Sequence, residues 1–201
     1  LYDRFVNQGA VMGDSFGLEN VLWFANNKED AHEEPTIKRS RSHNYVSKEV
    51  INVRENVGVM ELANFSKHEF KGPDAKKFLD YVMAGKLPKP GRISLSPMLT
   101  RKGKLYGDLT VACMDDNEFM IFGSGAAQEM HRRWFENHIG KFNLEYKNRS
   151  DDFHGLAISG PKSREVLQKV VRDNVSNEKF KFRDSRRMYV AGVPAIVNRI
   201  S

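Results

Sequence analysis

Asp108 is the residue in this 201-residue chain that most needs a chemical reason. It sits between Gly107 and the run Leu109-Thr110-Val111, in a stretch that reads as a strand. A carboxylate inside an apolar β-run is costly to bury unless something binds it. A carboxylate fixed in that way can order an amine, accept or relay a proton, or stabilise a cation. Other reactive types are sparse. Cys113 is the single cysteine, lies in a strand-like run and reads as a buried small hydrophobe. It has no partner for an internal disulfide, which fits a reducing compartment. The six histidines are dispersed. His131 and His138 read as exposed helix residues, and no His/Cys/Asp cluster has metal-ligand spacing.

Familiar phosphate and nucleophile signatures are missing from the sequence: no P-loop, no Gly-x-Gly-x-x-Gly after a strand, no Gly-x-Ser-x-Gly elbow. The segment GSGAAQ, residues 123–128, precedes a helix and its N–H groups can face an anion or a polar ring. A strand-to-helix turn that needs small residues explains it equally well. Composition bounds the rest. Apolar residues make up 40% and charged residues 29%, as in a globular chain rather than a disordered one. The net charge is +6, but basic residues are scattered among acids, apart from Lys38-Arg39-Ser40-Arg41. That pattern argues against nucleic acid and suits a polyanionic small molecule. No apolar run reaches the ~18 residues of a membrane span.

The elements that must hold Asp108 follow from periodicity. Residues 1–27 show no sustained period and read as loop-rich, leaving Trp23 and Phe24 with little local cover. Residues 28–44, which contain Pro35, read as a connector. A helix is expected from Ser47, as N-cap, to about Asn56. Two strand candidates follow, VGVMELA and SKHEFKG. Asp74 can cap the next helix, where Ala75, Phe78, Leu79 and Val82 recur at helical spacing and Gly85 stops it. A meander is expected at 92–99, 105–113 and 118–123, with turns at Lys102-Gly103-Lys104 and Asp115-Asp116-Asn117. The helix Ala126–Ile139 should bury Met130, Trp134 and Ile139. Strands at 142–147 and 153–159, a helix opened by Gly160-Pro161, and a hairpin around Ala191-Gly192 complete the chain. Antiparallel strand runs interspersed with helices give an α+β class.

Several stretches together resemble one family: LENVLWFA, VGVMELANFSKHEFKGPDAKKFLDYVMAGKLPKPGRI, SPMLTRKGKLYGDLTVACMDDNEFMIFGSG and LAISGPKSREVL. They are similar to the folate-binding aminomethyltransferases, the fold of the glycine cleavage T protein. Within it they resemble the branch that forms the C-terminal half of dimethylglycine and sarcosine dehydrogenases. The resemblance implies antiparallel sheets with packed helices and a module incomplete at both ends. Residues 1–44 would be a leading segment and connector from a preceding flavin domain. Residues 45–201 would be the first part of the folate-binding domain, inactive alone.

The resemblance further implies tetrahydrofolate as cofactor, with FAD in the preceding domain. A small N-methyl amine or its iminium would be the one-carbon donor and 5,10-methylenetetrahydrofolate the product. Neither nucleic acid nor membrane is an implied partner. The compartment would be the cytoplasm, or the mitochondrial matrix in a eukaryote. Asp108 falls on the family's catalytic acidic position, in a desolvated pocket, although the T proteins carry two aspartates where this chain has Gly107-Asp108. Thr110, Gly123 and Ser124 match pocket positions, and Leu95 and Phe65 match apolar positions that line the ring. Tyr106, expected on the same strand face as Asp108, would be a pocket wall. Two departures stand out. Glu61-Leu62-Ala63-Asn64-Phe65 replaces Asp-Val-Ser-His-Met, and Ser124 stands where the T proteins have Asn. The family's Gly-Glu-x-Gly motif would fall after Ser201. The same fold also implies two alternatives, a non-catalytic regulatory subunit like that of pyruvate dehydrogenase phosphatase and a folate-dependent demethylase with another methyl donor.

Overall fold

The computed structural model describes residues 1–15 and 17–201. The chain divides into two compact units, residues 1–59 with 158–163, and residues 60–157 with 164–201.

The first unit holds more regular structure than its sequence suggests. Helix α1 (Tyr2–Asn7) leads into β1 (Ala10–Ser15) and β2 (Leu18–Phe24), which pair antiparallel. The expected loop-rich segment is therefore a helix and a hairpin. A register shift between Val11 and Met12 breaks the two-residue alternation that would have revealed the strands. Trp23 is buried in a small cluster with Val11 and Ala25. Its ring lies 4.9 Å from that of Tyr45, and its indole N–H donates to Glu33. Tyr45 belongs to α2 (His43–Glu55), and its hydroxyl donates to Asp30. The helix thus starts four residues before Ser47, and Ser42 is its N-cap. Packing of the Tyr45 ring overrides the capping signal at Ser47.

Strands β3 (Gly58–Glu61) and β9 (Leu156–Ser159) carry the chain across the unit boundary. The second unit is built on a five-stranded antiparallel sheet. It uses β4 (Ser66–Lys71), β5 (Arg92–Leu99), β6 (Leu105–Asp115), β7 (Glu118–Gly123) and β8 (Glu145–Asn148), in the order β5-β6-β7-β4-β8. The three-strand meander lies where the sequence places it.

One face of this sheet is covered by α3 (Ala75–Val82) and α4 (Gln128–Ile139). Ala75, Phe78, Leu79 and Val82 of α3 are all buried there, as their spacing requires. Asp74 precedes the helix, and its carboxylate accepts from the Asn143 N–H and from Lys77. The helix ends at Met83, whose backbone is already extended, rather than at Gly85. Gly85 instead allows close approach to Ser96, whose hydroxyl accepts from its N–H at 3.1 Å. Phe70, Phe78, Phe119 and Phe135 are fully buried in this core. Burial of each such side chain is worth roughly 1.5–3 kcal/mol.

Helix α4 departs from expectation. A 3-10 turn at Gly125–Ala127 precedes it. Its buried residues are His131 and Phe135, while Met130 stays 39% exposed and Trp134 and Ile139 are partly buried. The expected exposed His131 is thus a core residue, 2% exposed. The reason lies in the sheet. Gly107 and Gly123 have no side chains, and a Cβ on either would press on the His131 ring. The ring occupies the volume the two glycines leave.

The opposite face of the sheet is covered over only part of its area. Helix α5 (Ser163–Val170) precedes the hairpin of β10 (Ser185–Val190) and β11 (Val193–Asn198). The hairpin closes over Ile93, Ala112 and Met120, with Ile196 packed among them. The Arg183 guanidinium donates to the Ile93 carbonyl at 3.0 Å, and Ile93 N–H donates to the Arg183 carbonyl at 2.9 Å. Among the described residues, no helix is long and apolar enough to cross a membrane.

Candidate functional site

Alternation along β6 decides which residues share a face. Leu109, Val111 and Cys113 point into the helix-covered core. Asp108, Thr110 and Ala112 therefore point to the other face, where Ala112 packs with Ile93 and Met120. Asp108 is exposed. The desolvated pocket expected around it is not formed among the described residues, where the β10–β11 hairpin packs over the sheet near Ala112 and Asp108 is left exposed.

Residues directly opposite each other in a ladder share a face. Leu95 pairs with Thr110, Thr110 with Phe122, and Phe122 with Lys67. This row crosses four strands on the Asp108 face. Asp108 itself pairs with Pro97 on β5. Leu95 is 66% exposed and Phe65, just before β4, is 44% exposed. Ser124, just beyond β7, is also exposed. The uncovered part of the sheet thus presents a carboxylate and a hydroxyl beside large apolar side chains.

Two of the expected site residues lie elsewhere. Tyr106 does not share the face of Asp108. The ladder skips a residue between Met98 and Leu99, pairing Met98 with Gly107 and Leu99 with Leu105. That irregularity turns Tyr106 toward the helices, where its ring sits 4.4 Å from the Trp134 ring. Gly123 is buried and faces the core. A side chain there would meet Leu109 at 2.5 Å, Ser66 Oγ at 3.1 Å and His131 Nδ1 at 3.2 Å.

Lys67 is a member of the face that sequence reasoning missed. It is only 3% exposed. Its ammonium donates to the carbonyls of Ala63 at 2.8 Å and Phe65 at 2.6 Å, which fixes the turn carrying Phe65. Burial holds its pKa below the ordinary lysine value, with Glu61 and Asp151 opposing. SKHEFK has a single apolar residue, Phe70, so no alternation marks the burial of Lys67, and a strand lysine reads by default as solvated. Its neighbour Glu69 is 6% exposed and is paired with Lys71 at 3.0 Å and Arg149 at 3.1 Å.

The arrangement can lay a flat, partly apolar molecule against Leu95 and Phe65 and meet its polar edge with Asp108 and Thr110. A ring system with exchangeable N–H groups matches both demands.

Comparison with known proteins bears on this site. The family model described as the GCVT N-terminal domain matches residues 1–201. Human mitochondrial dimethylglycine dehydrogenase is 34% identical over 204 residues, covering 100% of this chain and 23% of that protein. An aminomethyltransferase of Thermotoga sp. strain RQ2 is 28% identical over 201 residues, covering 99% of this chain and 50% of its own length. The chain therefore spans between about a quarter and a half of these curated relatives. The crystal structure of the glycine cleavage aminomethyltransferase T from Bartonella henselae superposes with a TM-score of 0.71. It is 18% identical and covers 92% of this chain and 45% of that one, so the two share the fold.

Proposed function

The chain belongs to the GCVT N-terminal domain family, and from that premise we propose that it is part of a tetrahydrofolate-dependent one-carbon transfer module. The parent protein is an FAD-dependent dehydrogenase of N-methylglycines such as dimethylglycine or sarcosine, in the cytoplasm or the mitochondrial matrix. Similarity to dimethylglycine dehydrogenase over the whole chain supports the choice of donor.

The observation that carries this reading is the uncovered part of the sheet, where Asp108 and Thr110 share a face with Leu95, and exposed Phe65 lies in the turn before β4. These residues fit a pterin: two apolar side chains for its rings, a carboxylate and a hydroxyl for its edge. When bound, reduced folate supplies the amine that accepts the one-carbon unit. Asp108 holds that amine by hydrogen bonding and takes up the proton it sheds. Its negative charge also favours a cationic iminium donor on the same face. Thr110 fixes the ring edge, and Leu95 with Phe65 excludes water from one side. Covering the face with further protein strengthens the Asp108 field by lowering the local dielectric. Amine oxidation is assigned to a flavin domain outside residues 1–201, and no step in this chain uses the flavin.

The test is the full-length protein carrying Asp108→Asn. Amine oxidation should persist while methylenetetrahydrofolate output falls by about 10²–10⁴-fold, the range for loss of a positioned acid–base group. Unchanged output overturns the role of Asp108.

A further inference from the structure

On the helix-covered side of the sheet, behind the face that carries Asp108, lies a second polar cluster that the proposed function does not use. Ser66 and His68 of β4 are fully buried, and His131 of α4 is 2% exposed. Ser66 Oγ, His68 Nε2 and His131 Nδ1 are each buried with no hydrogen-bond partner among the described residues. The fourth such atom, Trp134 Nε1, belongs instead to the ring stack of Tyr106, Trp134 and His138. Each histidine has its other ring nitrogen engaged. His68 Nδ1 lies 2.9 Å from the Tyr146 hydroxyl, and the His131 ring bonds the backbone of Tyr106. The His68 and His131 rings stand edge to face, with centroids 6.3 Å apart.

Two of the free atoms flank one point, and the His68 ring stands beside them. Ser66 is paired with Gly123 across the β4–β7 ladder. The point where a Gly123 side chain would begin is 3.1 Å from Ser66 Oγ and 3.2 Å from His131 Nδ1. The two atoms make no direct bond and border the same space beside Gly123. Buried polar atoms left in this way are satisfied in proteins by internal water, which needs two to four polar partners.

We propose that Ser66 Oγ, His68 Nε2 and His131 Nδ1 form the binding site of one internal water. The hydrogen-bond role of His131 is then fixed. His131 donates through Nε2–H to the Tyr106 carbonyl, so its Nδ1 accepts one water hydrogen. His68 Nε2 donates to the water when the Tyr146 hydroxyl donates to Nδ1, and accepts from it when that hydroxyl accepts. Ser66 completes the set, since its hydroxyl works in either direction. His131 is a neutral Nε2–H tautomer. The site ties β4 to α4 and, through the Tyr106 backbone, to β6, the strand that carries Asp108 on its far side.

The test uses the full-length protein. A crystal structure that resolves ordered water should show one well-ordered molecule bonded to His131 Nδ1 and to Ser66 Oγ or His68 Nε2. In His68→Phe that molecule should be lost or should shift onto Ser66 and His131. A dry cluster overturns the proposal, as does a ring turned so that two of the three side chains bond directly. Imidazole ¹⁵N shifts give an independent reading in solution. The Nε2–H tautomer is expected for His131, and an Nδ1–H tautomer there overturns the assignment.

Discussion

Asp108 and Leu109 are neighbours in β6 and stand on opposite faces of it, the first exposed and the second wholly buried. One strand therefore separates chemistry from stability at adjacent positions. Asp108→Asn should leave the unfolding free energy within about 0.5 kcal/mol of wild type, as for most exposed substitutions. Chemical denaturation of the purified chain checks this. A large loss would mean that Asp108 is a structural residue.

Leu109→Ala should do the reverse. Leu109 packs against Met98, Val111 and Ile121 in the core under α3 and α4. Truncation leaves a cavity and should cost about 2–5 kcal/mol. The variant should unfold at lower urea with an unchanged slope. Folate coupling in the full-length protein, measured where the variant is still folded, should survive.

The pH dependence of stability should carry a histidine signature. Burial first, and the neighbouring His131 second, depress the His68 pKa from 6.5 to about 4. The unfolded chain thus binds a proton at His68 between pH 6.5 and pH 4 that the folded chain refuses. Stability should be intact above pH 6.5, fall as pH drops through that window, and lose at most about 3 kcal/mol from this group. Burial shifts His131 in the same direction. Unfolding curves across the window should show a shallower fall in His68→Phe than in wild type. Equal slopes would remove His68 as the source.

How much of this was legible in the sequence follows from the kind of signal each part leaves. The β5–β6–β7 meander and the buried face of α3 are written in plain periodicity, and the structure keeps both. The hairpin at 10–24 is not, because the register shift at Val11/Met12 interrupts the alternation. Thr110 and Leu95 were named from the family resemblance, and the ladder pairs them with each other on the Asp108 face. Tyr106 escaped because the ladder skips it, between Gly107 and Leu105, which reverses its side. His131 escaped because its burial depends on two glycines distant in sequence, Gly107 and Gly123. The uncovered state of Asp108 depends on where the C-terminal hairpin stops, which no local pattern encodes.

Cys113 should be inert while the chain is folded. The side chain is buried among Val111, Phe119 and their neighbours. Its thiol donates to the Asp115 carbonyl at 3.0 Å. Burial, aided by the nearby Asp116 charge, pushes its pKa up to about 11. The thiolate that attacks alkylating reagents is therefore scarce near neutral pH. Mass spectrometry after iodoacetamide treatment should show little modification of native protein and complete modification in denaturant. Fast modification of native protein would mean that β6 and β7 open locally.

Lys67 connects the buried sheet to the proposed ring site, and its removal should affect both. Its ammonium holds the carbonyls of Ala63 and Phe65, and Phe65 is exposed in the turn before β4. Lys67→Met preserves length and the apolar stem but leaves two carbonyls without that donor. The expected cost is about 1–3 kcal/mol, the range for leaving buried polar groups unpaired. In the full-length protein the loosened turn should also weaken tetrahydrofolate binding, while Asp108 and Thr110 on β6, beyond β7 in the sheet, stay in place. Titration calorimetry should then show a weaker Kd, and single-turnover transfer at saturating folate should be nearly unchanged. The opposite split, with affinity intact and the transfer rate lost, would make Lys67 a participant in the proton chemistry rather than a support for Phe65.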